Sequence, residues 1–173
     1  MRQRLLHFAT LLFLVSPALQ AQARPQCPAA PKPFAAMRGC FRPLLVFSAT
    51  RNAALLHGQI ALLDGDADDM MDRFVLYTPV ASSAGRLSTP LDAPYTILNA
   101  QQMTEIRARY HVPASQFTVV LLDEDGRVML RSSNPVNPAR LNALIDRTPE
   151  RRAEMLRPHA NQDLLIRFRA IRP

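Results

Sequence analysis

Phe117 to Arg131, FTVVLLDEDGRVMLR, is the stretch whose reading decides the fold. From Phe117 to Leu122 every residue but Thr118 is apolar, and the run is aromatic, β-branched or Leu. It reads as a strand buried on both faces. Asp123-Glu124-Asp125-Gly126 breaks the run with a turn, Gly126 supplying the positive φ that a tight reversal needs. Arg127-Val128-Met129-Leu130-Arg131 then alternates and completes a β-hairpin with an acidic tip. A doubly buried strand needs cover on both sides, and the other segments are read as that cover.

Working outward, Pro43-Leu44-Leu45-Val46-Phe47-Ser48 is a second strand of the buried type. Asn52 can cap a helix whose Leu55, Leu56, Ile60, Leu62 and Leu63 form one broad apolar face, ended by Asp64-Gly65-Asp66. Arg73 to Tyr77 follows as a strand closed by Pro79, and a right-handed parallel crossover is the default for such a β-α-β unit. A proline-containing loop leads to Asn99, which with Gln102 resembles a capping box. Ala100, Met103, Ile106 and Tyr110 recur beyond it at helical spacing. After the hairpin, Asn137-Pro138 starts a helix striped by Leu141, Leu144 and Ile145, and Thr148-Pro149 starts a second one. The expected class is α/β: a thioredoxin-like mixed sheet with helices on both faces, in the order βαβ-αββα.

The N-terminus carries Arg2 and Arg4, a short apolar run from Leu5 to Val15, and Ala21-Gln22-Ala23. Charged start, apolar core and small-x-small end are the parts of a secretory signal. The run is about half the ~20 residues a membrane-spanning helix needs. Residues 1–23 are therefore expected to be a signal peptide and the chain to be periplasmic or secreted. No membrane span is expected in the mature chain. Residues 24–41, with Pro25, Pro28, Pro31 and Pro33, read as an arm, 42–158 as the thioredoxin-like domain, and 159–173 as a tail or short strand. The arm holds both cysteines, Cys27 and Cys40, and in an oxidising compartment such a pair usually joins. The alternative is a redox-active pair. Redox thiols normally follow a strand at a helix N-terminus, and these two precede the first strand.

The formal net charge is +7, but the arginines are scattered, without a basic block or interleaved aromatics, and there is no Trp. That pattern argues against nucleic-acid binding. A thioredoxin-like fold works from the turn between its first core strand and helix, where the helix N-terminus favours a thiolate. Here that turn reads Ser48-Ala49-Thr50-Arg51-Asn52, with no cysteine, leaving Ser48, Thr50 and Arg51 as candidate ligand residues. The proline such enzymes place before the strand leading into the hairpin is also missing. Ser115-Gln116 stands there, and Pro113 comes too early. Ser48 or Thr50 as a nucleophile would need a base, for which His57 and His111 are the candidates. Asp64-x-Asp66-x-Asp68 imitates a calcium loop, yet Asp69 and Val75 stand where Gly and Glu belong, so an acidic connection is the reading preferred. No catalytic residue, metal or cofactor is expected. Arg147, Arg151 and Arg152 form a cluster at the junction of the last two helices. Its two readings are an outward binding patch and an arginine folded back onto an acid such as Asp146 or Asp125.

Arg42-Pro43-Leu44-Leu45-Val46-Phe47, the Phe117-to-Arg131 hairpin, Leu144-Ile145-Asp146 and Arg151-Arg152-x-Glu154-Met155 together resemble the family of domain of unknown function 4174. Its small exported bacterial members are similar to a module in animal matrix proteins bearing sushi repeats. The resemblance covers about Arg42 to Met155 and implies a thioredoxin-like, peroxiredoxin-related fold without the active cysteines. It supplies no catalytic residues. Two places depart from the family pattern: its Lys-Asp-Gly turn is Glu124-Asp125-Gly126 here, and its Met-Pro-Met is Thr148-Pro149-Glu150. The function expected is a non-enzymatic module binding a protein or envelope component of unknown identity, with the oligomeric state open. The alternative is a thiol oxidoreductase or peroxidase using Cys27 and Cys40.

Overall fold

Every residue of β1 (Arg42–Ser48) and of β3 (Thr118–Leu122) is buried, because these strands occupy the middle of a four-stranded sheet. The computed structural model describes residues 27, 34–49, 53–82 and 87–156. The expected signal peptide, much of the arm, the Asn52 cap and the 159–173 tail lie outside the described residues. The strand order is β2-β1-β3-β4, with β2 (Val75–Ala81) and β4 (Val128–Ser132) at the edges. β1 pairs parallel with β2 and antiparallel with β3, and β3 with β4 forms the hairpin. This is the mixed α/β sheet that the order of segments implied.

Strand parity divides the core in two. Leu45, Phe47, Leu76 and Val120 pack against Ile106 of α3 (Ala100–Arg109) and against the segment before β1. Leu44, Val46, Val75 and Leu121 pack on the other face. There α1 (Ala53–Asp64), α2 (Ala67–Asp72) and α4 (Pro138–Ile145) cover them. The caps are as the sequence signalled. Asn99 and Gln102 form a reciprocal capping box. Asn137 accepts from the Ala139 N–H at 2.9 Å, and Thr148 from the Arg151 N–H at 3.2 Å, opening α5 (Pro149–Met155). Each such cap is worth about 1 kcal/mol.

Three features differ from expectation. β2 starts at Val75 and runs through Pro79 instead of stopping there. Tyr77 directs its N–H to the Pro94 carbonyl and its own carbonyl to the Thr96 N–H, away from β1. Pro79, two residues on, faces the same outer edge, where a missing N–H breaks no ladder bond. Residues 67–72, read as connection, are helical, with Ala67, Met70 and Met71 buried at i, i+3, i+4 spacing. The arm also contributes to the core. A short 3-10 turn spans Phe34–Met37, and Cys27, Met37, Cys40 and Phe41 join the cluster beneath α3.

At the start of β1 the sheet end is closed by charge. Arg42, 1% exposed, donates to Glu154 of α5 at 2.8 and 3.4 Å and to the Arg73 carbonyl at 2.7 Å. Its guanidinium also lies 3.2 Å from Glu124 in the hairpin turn. Arg151 folds inward to Glu154 (3.2 Å), the Asp72 carbonyl (2.8 Å) and the Asp72 carboxylate, with Asp146 at 3.5 Å. Arg73 completes the network by gripping Asp146 through two bonds of 2.9 and 3.0 Å. Arg147 and Arg152 are exposed.

Truncating one partner of a buried ion pair strands the other. Arg151→Ala should therefore cost on the order of 3 kcal/mol, lowering the melting temperature by roughly 10 °C. Arg152→Ala should shift it by no more than a degree or two. Thermal melts of both variants check the assignment, and a wild-type melt for Arg151→Ala would remove it. The second expectation concerns pH. The Arg73 bonds hold the Asp146 carboxyl below its ordinary range against the opposing effect of burial, and Arg151 adds to the pull. A carboxyl with a lower pKa folded than unfolded adds stability that is complete above about pH 4 and lost as the pH falls through the folded value. Denaturant melts of Asp146→Asn between pH 7 and pH 2 should show a shallower acid decline than wild type.

Candidate functional site

The C-terminal end of β1 is where a fold of this kind usually places its chemistry. Ser48 is buried there, and its carbonyl accepts from the Ser82 N–H at 3.1 Å and from Arg107 at 3.5 Å. Arg107 also donates to the carbonyls of Val80 (2.6 Å), Pro113 (3.0 Å) and Val112 (3.5 Å), and lies 5.4 Å from the Phe47 ring centre. Burial lowers the Arg107 pKa from its ordinary value. The arginine thus ties the ends of β1 and β2 to the loop after α3. Thr50 and Arg51 lie outside the described residues. His57 and His111 are exposed, and among the described residues no hydrogen bond joins either to Ser48. Among the described residues, this end therefore gives Ser48 no positioned base.

The disulfide sits at the other end. Cys27 and Cys40 are bonded, and they are 5% and 4% exposed within the core under α3. The seven residues of β1 separate the two ends by roughly 20 Å at ~3.3 Å per residue. The cross-link closes a loop within the segment before β1, worth about 3 kcal/mol in the chain-entropy estimate.

The acids of the α1–α2 connection have local partners. Asp64 accepts from the backbone N–H groups of Leu91 (3.0 Å), Asp92 (2.9 Å) and Ala93 (3.1 Å). Burial alone would raise its pKa, but these bonds bring it below the ordinary value. Asp66 accepts from Asn142 of α4 at 3.0 Å, and burial pushes its pKa up. Both carboxylates pin neighbouring segments to the helix pair.

A pocket opens beside the disulfide, between the 3-10 turn, the end of α3 and the hairpin turn. Phe34, Met37 and Phe41 give it an apolar wall, Tyr110 lines it, and Arg38 and Arg109 flank it, around a space of about one water molecule. Tyr110 is 8% exposed, and its buried hydroxyl has no hydrogen-bond partner among the described residues. Arg131 of β4 donates to the Tyr110 carbonyl at 2.7 Å, fixing the residue, and the ring meets Phe47 edge-on at 6.4 Å between centres. Burial raises the hydroxyl pKa, while the charges of Arg109 and Arg38 act in the opposite sense. Arg109 lies 5.7 Å from the Tyr110 ring centre. Arg38 rests on the hairpin turn: a Cβ on Gly126 would come within 3.7 Å of its Nε. That is ordinary contact distance, so it is the positive φ of 83° and not lack of space that calls for glycine at Gly126.

Of the candidate residues, Cys27 and Cys40 meet in the disulfide and Arg151 joins the ion network. Ser48 stands alone among described residues of its turn as a candidate, and Arg147 and Arg152 remain on the surface. Sequence reading missed the Tyr110 pocket. Tyr110 looked like one more residue of an apolar stripe, Arg38 like part of an arm, and three distant segments supply the walls.

The fold resembles solved structures of low identity. The mitochondrial 2-cys peroxiredoxin from Plasmodium falciparum is 12% identical, with a TM-score of 0.51 over 65% of this chain and 78% of that one. The exposed lipoprotein thioredoxin of Streptococcus pneumoniae strain TIGR4 is 18% identical, with a TM-score of 0.44 over 60% of this chain and 83% of that one. The first likeness places this chain among thioredoxin-like folds, and it speaks for the fold alone. No curated protein matches the chain. A family model matches residues 33–154, and the chain belongs to that family, the domain of unknown function DUF4174.

Proposed function

We propose that this chain is an exported, non-enzymatic module that binds a protein or envelope component in an oxidising compartment. One observation carries the reading. The chain has two cysteines, and they form a buried disulfide at the end of β1 opposite the turn where such folds attack disulfides or peroxides. A sulfur only a few per cent exposed is poorly placed for attack by an external thiolate. The turn itself supplies Ser48 and Ala49 with no thiol. Export is supported by the charged, apolar and small-x-small parts of residues 1–23, and by the disulfide, which persists in oxidising compartments. Ser48, Thr50 and Arg51 of the turn, and the exposed Arg147 and Arg152, are the candidates for contact with the partner.

Two measurements test this. Reduction of a disulfide substrate and consumption of peroxide by the purified protein should be no faster than with the Cys27→Ser/Cys40→Ser variant. Turnover that Cys40→Ser abolishes would establish the thiol oxidoreductase or peroxidase instead. Mass spectrometry of protein recovered from an oxidising compartment should show a chain beginning at Arg24 with Cys27 and Cys40 linked. An uncleaved chain with free thiols would overturn the export reading.

A further inference from the structure

We infer that the outward face of α5, with the chain that follows it, is a docking surface for an anionic lipid membrane. This deepens the binding-module reading and rests on it, naming the envelope component that Arg147 and Arg152 meet. The first ground is the division of α5 into two faces. Arg151 and Glu154 are buried and engaged in the ion network with Asp72 and Arg42. Arg152, Met155 and Leu156 stand at i, i+3 and i+4 on the other side. The Leu156 N–H donates to the Arg152 carbonyl at 3.2 Å, so the helical spacing holds that far. Met155 is 51% exposed and Leu156 83%. Two large apolar side chains beside an arginine on one exposed face are the elements of an interfacial contact.

The second ground is charge. Arg147 and Arg152 are exposed, and among the described residues no acid pairs with either. The neighbouring acids are held elsewhere. Asp146 is gripped by Arg73 and Glu154 by Arg42, which leaves Glu150 as the exposed carboxylate of this helix. The formal net charge of the chain is +7, and residues 1–23 account for two of those charges, Arg2 and Arg4. The chain from Arg24 onward is therefore cationic as a whole, which draws it towards a negative surface.

The third ground is continuity. Residues 157–173 lie outside the described residues, and their sequence repeats the composition of the face. They hold four arginines, Arg157, Arg167, Arg169 and Arg172, against one acid, Asp163. Leu164, Leu165, Ile166 and Phe168 stand among them. Such a mixture suits the headgroup layer, where a guanidinium stays with phosphate while its stem and apolar neighbours sink below. The apolar run is broken at Arg167 and Arg169, short of the ~20 residues a membrane span needs, so the contact is with the surface of one leaflet. A protein partner would ask for cations in a fixed geometry. Cations spread over the α4–α5 junction, α5 and the following segment match a plane of distributed negative charge.

Vesicle flotation of the chain from Arg24 onward, which holds every described residue, tests the surface. Starting there keeps the apolar run of Leu5 to Val15 out of the measurement. The chain should float with phosphatidylcholine vesicles containing about one-third phosphatidylglycerol and not with phosphatidylcholine alone. Raising the salt from about 0.05 M to about 0.5 M should release it. Arg147→Ala/Arg152→Ala should lower partitioning onto the anionic vesicles by about tenfold or more, and Leu156→Ser by about tenfold. Both variants change exposed side chains and should melt with the wild type. Phe168→Ser should weaken binding as well. Equal flotation with neutral vesicles, wild-type partitioning by both α5 variants, or weakening by Phe168→Ser alone would overturn the proposal. No flotation with either vesicle would also overturn it and leave a protein as the partner. The redox and export measurements use no lipid, so their failure reads separately.

Discussion

A guanidinium at the first residue of the central strand has to be neutralised where water cannot reach it. Arg42 is 1% exposed, and its partner Glu154 is equally enclosed, so the pair forms only if α5 docks with Glu154 inward. Such a pair adds little net stability over an apolar filling of the same shape, yet breaking it costs about 3–5 kcal/mol. Its consequence is therefore selective. Arg42 draws the hairpin turn through Glu124, the α2–β2 turn through the Arg73 carbonyl, and α5 through Glu154 to one point. Arg151 and Arg73 then pair with the surrounding acids, Asp72 and Asp146, so the ion network ties α2, the end of α4 and α5 to the start of β1.

The elements with local signals were legible. Phe117 to Leu122 read as a doubly buried strand because it is one, and Asn99, Asn137 and Thr148 cap helices through bonds between near neighbours. The ion network was legible only by halves. Arg151 could be expected to fold onto Asp146, but Arg42 and Glu154 lie 112 positions apart, and no spacing rule links them. The residues that carried the family resemblance, Arg42, Glu154 and Arg151, are the ones that meet here, as is the turn where this chain has Glu124. The short α2 was obscured by its acids, although Ala67, Met70 and Met71 carried helical spacing. Pro79 misled because its effect depends on which edge it faces, a property of the sheet and not of the strand.

The candidate site was less legible still, for a related reason. A redox site on this fold would announce itself as two cysteines on one turn, and its absence from Ser48-Ala49 could be read directly. The Tyr110 pocket has no such compactness. Residues 34–43, 109–110 and 122–126 each contribute a wall, and each segment has an ordinary reason to look as it does. Its walls come together only through the fold, and burial is invisible before folding.

The disulfide, the Arg42 network and the Tyr110 pocket all lie at the same end of the sheet, and they are braced together. Cys40 is cross-linked, the Gly39 N–H donates to the Glu124 carbonyl at 2.8 Å, and Glu124 lies against Arg42, so the walls from the arm and the hairpin share one anchorage. Arg131 holds the third wall by the Tyr110 and His111 carbonyls. A chain selected for stability alone would place Phe at 110, since a buried hydroxyl without a partner costs about 1–3 kcal/mol. Among the described residues Thr118 carries a second buried hydroxyl without a partner, so both are local costs that the surrounding packing and ion pairs carry.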